Sequence, residues 1–221
     1  MITVHNIHKA YGAKSVLSGV SAQFPAQRVT SLIGPNGAGK TTLLMMIARL
    51  LEPTQGDILI GGRFPYSRGA LTPEDHRAID EAIAFLSLEA LRGTYIDEIS
   101  GGQRQMAFLA MTIAQQTNVL LLDEPLNNLD MKHAVQIMRA LRRLCDEHGR
   151  TVILVIHDIN FAANYSDHIV ALKGGMVRFC GPVVEAVTET RLQELYGLDF
   201  EIVRSERGCV CNYFNPSGEL K

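Results

Sequence analysis

The chain has 221 residues, 47% of them hydrophobic and 20% charged, with 19 Gly and 8 Pro, a composition that gives no indication of disorder and suits a globular chain of one large domain or a domain with an inserted lobe. Lys plus Arg number 21 against 23 Asp plus Glu, and the formal net charge of −2 leaves no electrostatic footprint for nucleic acid. No apolar run approaches the roughly 20 residues of a membrane-crossing helix, and Met1-Ile2-Thr3-Val4-His5 lacks the basic start and apolar core of a leader, so a cytosolic chain is expected.

In chain order, Val20, Ala22 and Phe24 alternate with Ser21 and Gln23, and Ile58 and Ile60 follow the turn Gly56-Asp57. Both pieces read as antiparallel strands of a small sheet leaning on a larger core. Between them the apolar stretch Val29 to Ile33 runs into Gly34-Pro35-Asn36-Gly37-Ala38-Gly39-Lys40-Thr41. From Thr42 onward Leu43, Leu44, Ile47, Leu50 and Leu51 repeat at helical spacing. Strand, glycine-rich loop and helix in that order make a phosphate-binding loop. The glycines let successive backbone N–H groups turn inward round phosphate oxygens, Lys40 adds a point charge, and Thr41 offers a hydroxyl to a bound Mg²⁺. The helix N-terminus behind the loop adds its partial positive charge.

Thr72-Pro73-Glu74-Asp75 is a helix start, with Thr72 as cap and Pro73 at the first helical position, followed by Ile79, Ala82, Ile83 and Leu86 at helical spacing. Ile99-Ser100-Gly101-Gly102-Gln103 opens another helix, with Met106, Leu109, Ala110 and Ile113 as its apolar face. A serine and two glycines at that position form a second anion-binding helix end. Residues from about Arg63 to Gln116 therefore read as an all-helical insertion in an α/β core.

In Val119-Leu120-Leu121-Leu122-Asp123-Glu124-Pro125 a buried strand ends in two adjacent carboxylates, which point opposite ways. Asp123 can reach Mg²⁺ while Glu124 polarises a water aimed at a γ-phosphate. Ala134, Ile137, Met138, Leu141, Leu144 and Cys145 then share one helix face, with Arg139, Arg142, Arg143, Asp146 and Glu147 largely on the other. A third strand, Val152 to Ile156, ends at His157, which can contact the γ-phosphate from the end of the sheet. His5, His8, His133, His148 and His168 read as structural. Apolar strands alternating with helices imply a parallel sheet covered by helices.

The cysteines Cys145, Cys180, Cys209 and Cys211 read as reduced thiols. One close pair, Cys209-Val210-Cys211, is too few ligands for a closed structural metal site, and redox or iron sensing by that pair is a hypothesis only. Residues Glu201 to Lys221 read as a surface extension.

Taken together, these motifs resemble the nucleotide-binding subunit of ATP-binding cassette (ABC) transporters over about residues 1 to 200. Gly34 to Thr41 corresponds to Walker A, Ser100 to Gln103 to the signature motif, Val119 to Glu124 to Walker B, Asn128-Leu129-Asp130 to the D-loop and His157 to the switch histidine. Tyr11, just before Gly12, corresponds to the aromatic that stacks on adenine. The resemblance implies an α/β P-loop NTPase core with a parallel sheet (residues 1–62 and 117–200), an N-terminal antiparallel β subdomain, an inserted α-helical signature subdomain (63–116) and a C-terminal extension (201–221).

The resemblance also implies an ATP hydrolase using ATP and Mg²⁺. Gly34, Asn36, Gly37, Gly39, Lys40, Thr41 and Thr42 would hold the nucleotide, Thr41 and Asp123 the metal, Glu124 would be the general base, and His157 would keep base and γ-phosphate in register. Two subunits would pair head to tail, with Ser100, Gly102 and Gln103 of one closing over the ATP of the other and Asp130 communicating across the dimer. The remaining partners would be integral membrane permease subunits and, indirectly, a solute-binding protein, which places the chain on the inner face of the membrane, with no nucleic acid partner.

Gly62-Arg63-Phe64-Pro65-Tyr66 and Leu126-Asn127-Asn128-Leu129-Asp130-Met131-Lys132-His133 are similar to the importer subunits for ferric siderophores, haem and cobalamin, and ferric siderophore uptake is the favoured reading. The alternatives are an importer for another solute, such as a metal or amino acid, or a soluble cassette ATPase outside transport. One departure is large: Lys40 to Ser100 is 60 residues (100 − 40), a few dozen fewer than in that branch. The missing stretch would fall between Gly62 and Arg63 and hold a strand and the glutamine loop, whose Gln ligates Mg²⁺. An unobserved segment is favoured over a true deletion, which would leave an exposed sheet edge and an incomplete site. Leu126, where the family has a small hydroxyl residue, is a minor departure.

Overall fold

The structure is a computed structural model that describes residues 1–60 and 72–214. Its centre is a five-stranded sheet built from β3 (Val29–Ile33), β5 (Val119–Asp123), β6 (Thr151–Val155), β7 (His168–Lys173) and β8 (Met176–Pro182), in the order β5-β6-β3-β7-β8. The first four are parallel, and β8 returns antiparallel to β7. Every residue of β3 and β6 is buried, as expected of parallel strands covered on both faces.

Side-chain alternation along these strands divides the interior. Leu32, Ile153, Val155 and Val170 point to one face, where they meet Leu43, Met46 and Ile47 of α1 (Lys40–Ile47) and Val4, Ile7, Val20 and Phe24 of β1 (Ile2–Tyr11) and β2 (Lys14–Phe24). Ile33, Val152, Leu154 and Ile169 point to the other, against Ile137, Met138 and Leu141 of α4 (Met131–Asp146) and Ala162 of α5 (Ile159–Tyr165). The N-terminal sheet has the order β2-β1-β4, with β4 (Gln55–Ile60) and β2 both antiparallel to β1; pairings such as Val4↔Ala22 and Ile7↔Val20 put the apolar side of β2 on the core.

The described part of the helical insertion, residues 72–116, contains α2 (Pro73–Phe85) and α3 (Gly101–Ala114) joined by a single turn at Glu89–Leu91. Both helices begin with reciprocal caps. Thr72 and Ser100 each accept from the backbone N–H three residues on, and the side chains of Asp75 and Gln103 accept from the cap N–H in return, which satisfies two of each helix's unpaired N–H groups. Ala82, Leu86, Met106, Leu109 and Ala110 carry the pair into the α4 side of the core.

Four expectations change. Helix α1 starts at Lys40 rather than Thr42 and stops at Ile47, because Arg49 turns left-handed (φ 58°), and Leu50 is left 79% exposed. The shortened interval between Gly62 and Arg63 lies outside the described residues. Those two residues are consecutive in the full sequence, so the short interval is a feature of this chain and not an unobserved segment. Strands β7 and β8 escaped the sequence reading.

The fourth change concerns the carboxyl end. Up to Asn212 it is a hairpin, β9 (Glu201–Ser205) and β10 (Gly208–Asn212), with Cys209 and Cys211 buried in the core. Asn164 and Asn160 of α5 accept from the N–H groups of Cys209 (2.8 Å) and Cys211 (2.7 Å). Four residues of helix and two of strand both span about 6 Å, so an i, i+4 pair of asparagines serves an i, i+2 pair of strand N–H groups. Burial pushes the Cys211 thiol up to about 12, which keeps it protonated and unreactive, and among the described residues no cluster of His, Cys, Asp or Glu could hold a metal.

Candidate active site

The carboxyl ends of three neighbouring parallel strands deliver the chemistry to one edge of the sheet, where open α/β sheets form their clefts. The loop Gly34 to Gly39 follows β3, Asp123 ends β5 with Glu124 directly after it, and His157 lies two residues after β6. Two glycines in the loop are obligatory. A Cβ on Gly34 (φ 140°) would lie 2.0 Å from the Leu172 carbonyl oxygen, and one on Gly39 (φ 96°) would lie 2.5 Å from Leu17 Cδ2.

Lys40 is 5% exposed, and its ammonium donates to the carbonyl oxygens of Gly34 (2.8 Å) and Pro35 (3.0 Å). Burial lowers its pKa, and the nearby carboxylates of Glu124 and Asp123 oppose that. Thr41 Oγ1 donates to Asp123 Oδ1 at 3.1 Å, so a hydroxyl and a carboxylate, both hard oxygen donors of the kind Mg²⁺ takes, converge beside the loop.

Glu124 sits in a left-handed conformation (φ 51°), a strain of order 1–3 kcal/mol that functional sites retain. Its Oε1 accepts from His157 Nε2 at 2.6 Å and its Oε2 from the Asn127 amide. The His157 bond is the largest of several contacts that hold the carboxyl below its ordinary 4.5, so it is ionised. A cavity of about 410 Å³ is lined by the loop from Asn36 to Thr42 together with Glu124, Lys14, Ser15, Gly174 and Gly175. A second, of about 330 Å³, lies behind Glu124 and His157. A buried ammonium, an N-terminal helix end and a hard-donor pair round one cavity suit a polyphosphate, and an ionised carboxylate at its rim suits proton abstraction from water.

Of the residues singled out from the sequence, Asn36, Gly37, Gly39, Lys40, Thr41, Thr42 and Glu124 line this cavity, Thr41 bonds Asp123 and Glu124 bonds His157. Ser100, Gly102, Gln103, Tyr11 and Asp130 are not in its lining. Tyr11 is 53% exposed, with Lys9 Nζ 5.4 Å from its ring. Asp130 caps α4, accepting from the His133 backbone N–H (2.9 Å). No described glutamine lines the cavity. Sequence reasoning missed Asn127, Lys14, Ser15 and the Gly174-Gly175 turn; only Asn127 carried a local signal, an amide three residues after Glu124.

The ABC transporter family profile matches residues 17–70 and 66–127. The petrobactin import ATP-binding protein YclP of Bacillus subtilis (strain 168) is 42% identical over 252 positions, which cover 97% of this chain and all of that protein. Those positions exceed the chain's length by 31 (252 − 221), so at least that many have no counterpart here. The petrobactin import ATP-binding protein FatE of Bacillus anthracis is likewise 42% identical, over 96% of this chain and all of its own. A dimeric bacterial ABC transporter cassette matches with TM-score 0.72 at 27% identity, over 83% of this chain and 99% of its own. A metal-chelate type ABC transporter, solved facing inward, matches in fold with TM-score 0.84 at 21% identity, over 97% of this chain and 98% of its own. The chain belongs to the ABC transporter family, among ATP-binding subunits whose named relatives serve siderophore import.

Proposed function

We propose that this chain binds and hydrolyses ATP to power a membrane importer for a ferric siderophore or a related iron chelate. The observation that carries the reading is the convergence of Lys40, the Thr41–Asp123 pair and the Glu124–His157 pair on one cavity. The solute class rests on the relatives, which are named for petrobactin import.

The loop from Gly34 to Thr42 and Lys40 hold the phosphates of ATP, and Thr41 and Asp123 are the residues that would hold Mg²⁺. When bound, that ion neutralises phosphate charge. Glu124 takes a proton from the attacking water; His157 and Asn127 fix its two carboxylate oxygens and keep it ionised. Tyr11 stacks on the adenine. Two copies pair head to tail, so that Ser100, Gly102 and Gln103 of one subunit and its Asp130 complete the site of the other, which accounts for their distance from the cavity of their own chain. The dimer docks on permease subunits at the inner face of the membrane, with a solute-binding protein further out. Residues 1–200 act as one ATPase unit.

The test is ATPase activity of the purified chain with its permease in vesicles, with and without loaded ferric petrobactin. ATP turnover stimulated by the iron chelate supports the reading, and turnover indifferent to it removes the solute assignment.

A further inference from the structure

Gly102 has a reason to be glycine that lies in another element. It is helical, outside the left-handed region, yet a Cβ there would lie 2.5, 2.6 and 2.7 Å from Cγ, Cδ2 and Nδ1 of His133. Gly101 beside it would meet nothing within 4 Å. The backbone does not demand glycine at position 102; the imidazole does. The same ring donates from Nδ1 to Asp130 Oδ1 at 2.8 Å, the oxygen that also accepts from the His133 backbone N–H. The His133 side chain is 25% exposed, against 64% for Asp130. One side chain in the first turn of α4 thus touches both the first turn of α3 and the residue that caps α4.

We propose that His133 is a positioning residue that locks the first turn of α3 (Ser100 to Gln103) to Asp130, so that the two segments one subunit offers to its partner's ATP approach as one rigid piece. The proposal rests on the head-to-tail reading above. His133 lines neither the cavity along the phosphate loop nor the one beside Glu124 and His157. Without the ring, a space the size of an imidazole opens beside Gly102, and α3 and the Asp130 turn can shift independently. Pairing must then order both at once, a cost added to association, while nucleotide binding to the open subunit is untouched.

The experiment uses Glu124→Gln, which accumulates the ATP-bound state, and measures its ATP-dependent dimerisation by light scattering. Glu124→Gln that stays monomeric with ATP would remove the head-to-tail reading itself. If it dimerises, adding His133→Ala is expected to weaken dimerisation roughly tenfold, with unchanged binding of a fluorescent ATP analogue to the monomer. His133→Asn, which keeps a donor for Asp130, is expected to fall between the two and serves if the alanine variant does not fold. In otherwise native enzyme the same substitutions should raise KM for ATP more than they lower kcat. Gly102→Ala, which drives the ring away and also adds a methyl beside the partner's ATP, should weaken dimerisation at least as much as His133→Ala, and the double variant should be no worse than Gly102→Ala alone. Equal dimerisation with and without His133, or strict additivity of the two substitutions, would overturn the proposal.

Discussion

Both carboxylate oxygens of Glu124 are held in this structure: His157 donates to one and Asn127 to the other, each keeping a lone pair for a water. That arrangement predicts a graded series. Glu124→Gln keeps the shape and removes the base, so hydrolysis should fall about 10²–10⁴-fold with ATP binding retained, measured by steady-state ATPase and equilibrium binding. His157→Ala removes the largest influence holding the Glu124 carboxyl low. The sign follows directly: a base whose pKa is depressed stays ionised further into acid, so losing the depression moves the acidic limb of the pH–rate profile to higher pH. Asn127→Ala should move it the same way by less, since the amide ranks below the imidazole among the causes. A limb that stays fixed in both variants would mean that Glu124 does not set it.

Among the elements, the interface between the carboxyl-terminal hairpin and α5 makes two predictions. The hairpin β9–β10 is tied to α5 through Asn160 and Asn164, so Asn164→Ala leaves the buried backbone of Cys209 without its partner. Such a group costs about 1–3 kcal/mol, which thermal unfolding would register as a lower Tm. Cys209→Ser with Cys211→Ser puts hydroxyls where both thiols are buried and should also lower Tm, while ATP turnover per folded molecule stays unchanged. Altered turnover would give these thiols a functional part. Strand β5, which ends at Asp123 just before Glu124, is an edge of the sheet among the described residues, and Leu121 and Leu122 are only partly buried. An edge strand with apolar side chains is a site for unwanted pairing, and this one ends at the proposed metal-holding residue Asp123.

At the scale of the whole molecule, the relatives' additional positions and the lack of a described glutamine beside the cavity point the same way. The expected outcome is a chain that binds ATP but turns it over slowly beside the 42% identical petrobactin relative, and couples poorly to transport. Assaying the two proteins in parallel checks it, and equal rates would show that the shorter interval costs this chain nothing in the chemistry.

Most of the site was legible because its chemistry is local in sequence. A strand, a glycine-rich loop and a helix must be contiguous to wrap a phosphate, so Gly34 to Thr41 declared itself, and two carboxylates after an apolar strand did the same at Asp123 and Glu124. The partner choices were not legible, because they join residues far apart in the chain: Lys14 and Ser15 with the loop, Asn160 with Cys211, and His133, read as merely structural, against Gly102. A sequence reports spacing along one helix face or strand. It does not report which face of which element comes opposite, since that is decided by how the two apolar layers close over the sheet. Sequence by itself therefore determined the reaction class and pointed to the residues proposed to carry it, and tertiary structure alone decided that α1 stops at Ile47, that Cys209 and Cys211 belong to the core, and that an imidazole is the reason for a glycine.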